Sequence, residues 1–197
     1  MKKFIYYIVA LSVIVLSLNS CDKIEEPYTE EGAVTWNGRK ILIYDFTGHK
    51  CGNCPRAHRL LSTLKATYGE AIVSVAIHTT FFAMPLGSYT YDFRTDIGDE
   101  LGGRDYATNG FYGEINLPVG LINNLSPNAL LSDSDWPAEI QKYIASFPQF
   151  SIEIENSYCS VGENIISNIS VQSLIANSHN LKINALIIES GIIQKQT

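Results

Sequence analysis

Ile-Leu-Ile-Tyr-Asp-Phe-Thr-Gly-His-Lys-Cys-Gly-Asn-Cys-Pro, residues 41–55, is the stretch that decides the fold. Its apolar run from Ile41 to Phe46 has the length and branching of a buried strand. After a short connection, Cys51 and Cys54 follow in Cys-x-x-Cys spacing. Apolar residues then recur at helical intervals, at Ala57, Leu60, Leu61, Leu64 and Tyr68. The stretch therefore predicts a strand, a dithiol and a helix, with Cys51 where the helix begins.

The predicted position of Cys51 has a chemical consequence. Unpaired N–H groups and the positive end of a helix dipole stabilise a thiolate, which is the nucleophilic form of cysteine. His49 and Lys50 add positive charge beside it and would tune its pKa in the same direction. We therefore expect a readily ionised Cys51, and its reaction with another sulfur requires that it be reachable from solvent.

This stretch resembles the active site of thioredoxins. Asp45 lies six residues before Cys51, at the position where thioredoxins keep a buried carboxylate beneath the dithiol. Further along, Leu117-Pro118-Val119-Gly120 is similar to the cis-proline loop that faces the dithiol in that family. The resemblance covers residues 33–148 and implies an α/β domain of thioredoxin-like fold.

The resemblance also implies a reaction, thiol–disulfide exchange on protein disulfides, with no cofactor beyond the Cys51–Cys54 pair itself. Cys51 would attack the substrate disulfide and Cys54 would resolve the mixed disulfide. Asp45 would accept or donate the Cys54 proton through water, and Leu117 and Pro118 would orient the substrate chain.

Three departures from the thioredoxin pattern leave the redox direction open. Lys50 stands where an aromatic residue is common, and the inner dipeptide is Gly52 and Asn53 rather than Gly-Pro. The predicted strand between Ala71 and Thr80 also has no lysine to pair with Asp45. The reduction potentials of thioredoxin-like dithiols span about −270 to −120 mV. Because the potential depends on the residues around the cysteines, the motif alone does not determine whether the protein reduces, oxidises or isomerises disulfides.

The first twenty residues have the pattern of a lipoprotein leader. Lys2 and Lys3 precede an apolar run over 4–18, and Leu18-Asn19-Ser20-Cys21 resembles a lipobox whose cysteine carries the lipid. We expect a signal peptide over 1–20, although an ordinary secretory signal or an N-terminal anchor would share its apolar run.

Leader and dithiol together resemble the thioredoxin-fold outer-membrane lipoproteins of Gram-negative bacteria, often labelled twenty-eight-kilodalton outer membrane proteins. The resemblance implies a cell-envelope location, a membrane anchor on Cys21 and partners that are envelope proteins with thiols or disulfides. Residues 21–32 are then a polar tether.

Composition excludes some function classes. The net charge is −6 and no basic stripe is present, so nucleic acid is not an expected partner. A hydrophobic fraction of 46% is ample for a folded core. Of the four cysteines, Cys159 lies in an alternating segment, which favours a half-buried strand residue over a resolving or intermolecular role.

The remaining chain predicts an insertion and an appended β segment. Residues 79–110 exceed a minimal thioredoxin; their aromatic residues either form satellite core or shape a substrate groove. Within them we predict a helix over Arg94–Tyr106, with Ile97 and Leu101 facing inward. A second helix follows Ser132, with Trp136, Ile140, Tyr143, Ile144 and Phe147 on one face.

After Pro148 the periodicity changes to that of strands. We predict an antiparallel β segment over 149–197, either part of a β-sandwich or a small sheet. Its strands are Ser151–Cys159, Ile165–Ile175 and Leu181–Ile188.

Two other functions stay open on the sequence. The protein could be a non-catalytic binding or assembly module of the envelope, in which Cys51–Cys54 is a structural disulfide. Metal binding by Cys51, Cys54, His58 and His49 is disfavoured, since a single Cys-x-x-Cys lacks the second ligand pair of a closed zinc site. We expect no metal, and His58 as a solvent-facing helix residue.

Overall fold

A computed structural model describes residues 21–23, 38–105, 108–123, 125–160, 162–176 and 181–196. The predicted signal peptide over 1–20 and tether residues 24–32 lie outside the described residues. The chain forms two compact units. The dithiol unit contains the described residues between 35 and 148 together with 181–196, and the hairpin unit contains 21–23 and the described residues between 149 and 178.

The fold is of the mixed α/β class. In chain order the strands are β1 (Cys21–Lys23), β2 (Ile41–Thr47), β3 (Ile72–His78), β4 (Val119–Ile122), β5 (Leu131–Ser132), β6 (Phe150–Cys159) and β7 (Asn164–Ser173). The α-helices are α1 (Cys54–Tyr68), α2 (Asp96–Gly102) and α3 (Trp136–Ile144).

The dithiol unit is built on a four-stranded mixed sheet in the order β3-β2-β4-β5. Strands β2 and β3 are parallel and α1 connects them. Strand β4 pairs antiparallel with the other edge of β2. Helix α1 ends at Gly69, whose φ of 54° lies in the region that glycine adopts without strain.

Strand β2 is covered on both faces. Ile41 and Ile43 pack against α1 and against Trp136 and Ile140 of α3, while Phe46 belongs to a second cluster with Leu101 of α2 and with apolar residues between 112 and 130. Successive strand residues point to opposite faces, so Asp45 and Thr47 lie on the same face as Ile41 and Ile43. The α1 face of the sheet therefore carries a carboxylate just past its apolar core.

Four predictions about side chains and boundaries are wrong. Helix α2 covers only Asp96–Gly102 because Thr95 caps its start and Gly103, at φ 87°, ends it; Ile97 is 46% exposed, whereas Leu101 packs inward. Phe147 is 90% exposed because α3 already ends at Ile144. The predicted strand Leu181–Ile188 has no regular secondary structure, and residues 181–196 belong to the dithiol unit.

The hairpin unit is a three-stranded antiparallel sheet in the order β1-β6-β7. Its first strand is formed by the start of the predicted tether, with Cys21 opposite Cys159 in the register. Cys159 is half-buried, as predicted for a strand cysteine. Among the described parts of the chain, no helix has the length and apolar character needed to cross a bilayer.

Candidate active site

The two cysteines occupy the turn between β2 and α1 and form a disulfide, with a sulfur–sulfur distance of 2.12 Å. The Cys51 amide donates to the Gly48 carbonyl at 2.9 Å, and the Cys54 amide donates to the Cys51 carbonyl at 3.2 Å. The helix begins at Cys54, so the expectation that it begins at Cys51 is wrong by one turn. Pro55 occupies its first turn, where a missing N–H costs nothing.

Both cysteines are buried. Cys51 is 3% exposed and Cys54 is fully buried, whereas Gly52 and Asn53 between them are exposed. The expectation that Cys51 is reachable from solvent is therefore not met in this disulfide-bonded form. The loop is held on one side by the turn Phe81–Ala83, since the Lys50 amide donates to the Phe82 carbonyl at 3.1 Å.

His49 and Lys50 both lie against aromatic rings of the insertion. The His49 ring is buried between Tyr89 and Phe93, with ring centroids 5.3 and 5.1 Å away. Burial, with a smaller contribution from Lys50, lowers the pKa of His49 and so favours its neutral form. The Lys50 ammonium lies 3.8 Å from the centre of the Phe81 ring, and burial lowers the pKa of this lysine too.

A second histidine, at the end of β3, lies in the same aromatic cluster. His78, the last residue of β3, stacks on Phe93 at 4.5 Å, and burial together with His49 and His58 lowers its pKa to about 4. The aromatic residues of the insertion thus lie beside the dithiol loop and pack among themselves. This packing agrees with the satellite-core alternative for these residues, and their role in shaping a substrate groove stays a prediction.

Asp45, the fifth residue of β2, is a buried carboxyl. Its side chain is 1% exposed, and neither carboxylate oxygen makes a well-aligned hydrogen bond among the described residues. The Nε2 atom of His58 lies 3.3 Å from Asp45 Oδ2, an ion-pair distance rather than a good hydrogen bond. Burial raises the pKa of Asp45, and the His58 imidazole acts in the opposite direction.

His58 is the site residue that the sequence did not identify. Its side chain is only partly exposed to solvent, and its Nε2 atom also lies 3.1 Å from Thr47 Oγ1. The signal was present, because His58 follows Cys54 by four residues and such pairs share a helix face. The sequence did not show that this helix face packs on Asp45.

The Leu117–Pro118 loop, which was expected to face the dithiol, lies next to the end of β2. The Leu117–Pro118 peptide bond is cis, and Pro118 is buried. Strand β4 begins at Val119 opposite Phe46 of β2, so Pro118 precedes the point where β2 runs into the dithiol loop. Leu117 packs against the cluster of Phe46.

The described residues contain no group of three or more His, Cys, Asp or Glu side chains that could hold a metal ion. His49 lies in the aromatic cluster and His58 beside Asp45, so the four residues considered as metal ligands are engaged in separate contacts.

Comparisons with known proteins add no family. No family model and no curated protein matches the chain. One similar solved structure is an X-ray structure of a protein from Agrobacterium tumefaciens, at 13% identity and a TM-score of 0.43, covering 71% of this chain and 74% of that one.

Proposed function

We propose that the protein is an envelope-anchored, thioredoxin-like thiol–disulfide oxidoreductase acting on protein disulfides through Cys51 and Cys54. The observation that carries the proposal is the Cys51–Cys54 disulfide at the turn from β2 into α1, with the Asp45 carboxyl buried on the helix-facing side of β2. Leu117 and Pro118, next to the end of β2, are suited to orient a substrate chain. The leader and Cys21 supply the anchor, and envelope proteins with thiols or disulfides are the partners.

In the reducing direction, the Cys51 thiolate attacks one sulfur of a substrate disulfide. The other substrate sulfur leaves as a thiolate and takes a proton from water. Cys54 then gives its proton to Asp45 and attacks the Cys51 sulfur, which forms the Cys51–Cys54 bond and releases the second substrate thiolate. Two electrons pass from the dithiol to the substrate, and the same steps in reverse oxidise a substrate dithiol.

The burial of Cys51 favours a second candidate, a non-catalytic binding module with a structural disulfide. At 3% exposure, Cys51 meets a substrate only after the loop or its neighbours move. Structural disulfides have reduction potentials below about −300 mV, whereas exchange-active pairs lie between about −270 and −120 mV. The potential of the pair therefore separates the two candidates.

The test measures that potential in thiol redox buffers, together with the rate of insulin disulfide reduction and of refolding of a reduced protein. Cys51→Ser is expected to lower the exchange rate by at least about 10³-fold, because it removes the nucleophile. Cys159→Ser is the matched control and is expected to keep the wild-type rate. Equal rates for wild type and Cys51→Ser would leave the binding module as the function.

A further inference from the structure

His58 joins a buried carboxyl to the surface. Its side chain is 33% exposed at one end, while Nε2 lies 3.3 Å from the Oδ2 atom of Asp45, which is 1% exposed. Cys54, Ala57 and Leu61 on the same helix are buried against the sheet. His58 thus stands at the margin of the α1–β2 contact, where a side chain touches both the interior and water.

Both nitrogens of the His58 ring have polar neighbours. The side-chain amide nitrogen of Gln196 lies 3.3 Å from Nδ1. Nε2 lies 3.3 Å from Asp45 Oδ2 and 3.1 Å from Thr47 Oγ1, so the inner side of the ring meets the carboxyl and a hydroxyl group.

Among the described residues, two charged groups act on Asp45, His58 and Asp133. Asp133, just before α3, is the second group that acts on it, and its negative charge raises the pKa of Asp45. Asp133 is itself paired with Arg56, whose guanidinium lies 2.8 Å away on the exposed side of the helix start. The positive charge of His58 also contributes to the lowered pKa of His78. His58 is thus the one group among these that draws Asp45 toward its charged form.

We propose that His58 is a positioning residue that sets the charge of Asp45 and connects this carboxyl to water, and thereby governs the protonation of Cys54. The role in exchange rests on the proposed function above. When Cys54 resolves a mixed disulfide, its thiol proton goes to the Asp45 carboxylate, and Asp45 returns it to water past the His58 ring. Imidazole groups exchange protons with water in the neutral pH range, and a side chain between a buried carboxyl and solvent can use this property.

The structure offers a matched control for this histidine. Arg59 is the next residue of α1 and is exposed. Arg59→Gln therefore removes a cation from the same helix without touching Asp45, whereas His58→Gln keeps a polar side chain and removes the imidazole.

The first measurement is the titration of the Asp45 side-chain carboxyl by carbon NMR, on the full-length oxidised protein. We expect His58→Gln to raise the Asp45 midpoint by about one pH unit, a tenfold change in proton affinity, and Arg59→Gln to leave it unchanged. An unchanged midpoint in His58→Gln overturns the proposal. This readout does not depend on any exchange activity.

The second measurement is the pH profile of the exchange rate. We expect His58→Gln to move the profile by the same interval as the Asp45 midpoint, and to have no further effect in an Asp45→Asn background, since His58 acts through that carboxyl. An equal loss of rate at every pH, or an undiminished effect in the Asp45→Asn background, indicates a purely structural role and overturns the proposal.

The two measurements also separate this proposal from the proposed function. If wild type is as inactive as Cys51→Ser, the exchange function and the proton-transfer role both fall. The Asp45 titration then decides alone whether His58 sets the charge of the carboxyl.

Discussion

The two sheets of this protein bury their strands to very different degrees. Five of the seven residues of β2 are buried, whereas β6 and β7 contain no buried residue among those described. Strand β2 lies between α1 and α3 on one face and, on the other, Leu101 of α2 with apolar residues between 112 and 130, while the hairpin unit has no helix among its described residues. The comparison teaches that an apolar strand is buried only where a second layer covers it.

The largest expected effect tests the core of the dithiol unit. Trp136 is fully buried at the start of α3 and packs against β2 and α1. Trp136→Ala should lower the free energy of unfolding by about 3–5 kcal/mol through lost contacts and a cavity. Urea unfolding followed by circular dichroism measures it, and Phe147→Ala, at a 90% exposed aromatic residue of the same unit, is the control expected to change little. Equal losses would contradict the assignment of the core.

The next effect comes from adding atoms instead of removing them. A Cβ at Gly120 of β4 would lie 2.7 Å from the Tyr44 carbonyl oxygen and 2.8 Å from the Trp136 ring. Gly120→Ala should therefore destabilise the unit by about 2 kcal/mol, since neither neighbour is the flexible end of a side chain. In Gly52→Ala the new Cβ meets nothing within 4 Å, so this control should unfold like wild type.

A smaller effect, with a defined pH dependence, concerns the buried carboxyl. Because burial raises the Asp45 pKa above its ordinary value of 3.8, the folded protein holds this proton more tightly than the unfolded chain does. The carboxyl contributes its full stability only below that ordinary value, and the contribution is lost as the pH rises through the folded pKa.

Asp45→Asn should therefore raise the free energy of unfolding at pH 8 by about 1–2 kcal/mol, and the gain should disappear toward pH 4. Unfolding curves at a series of pH values measure it. Glu153→Gln, at an exposed carboxyl on β6, is the control and should show no such slope. A gain that is constant with pH would mean that Asp45 does not titrate in this range.

The smallest effect tests the hairpin unit. Ile154 on β6 is 52% exposed, so Ile154→Thr removes little buried area and keeps a β-branched side chain. We expect a change in the free energy of unfolding of less than about 0.5 kcal/mol, measured by hydrogen exchange of the β6 and β7 amides. A loss comparable to that of Trp136→Ala would show that this face is covered in the folded protein.

The parts of the candidate site that lie close together in the sequence could be predicted. Strand β2, the cysteine pair and helix α1 follow one another within a single stretch, and their apolar periodicity and spacing carry the prediction. His58 could not be assigned in the same way, because its contact with Asp45 spans thirteen residues and depends on which helix face packs on the sheet. The lowered pKa of His49 also required knowledge of Tyr89 and Phe93, which come from the insertion and bury its ring.

The sequence by itself determined the α/β class of the dithiol unit, the dithiol at the end of a central strand and the antiparallel character of β6 and β7, because these depend on local periodicity and spacing. Only the tertiary structure decided that Cys51 is buried, that Asp45 meets His58 and that residues 181–196 form no strand. Burial and long-range contacts depend on which other elements pack on a strand. The periodicity of one segment does not show which elements these are.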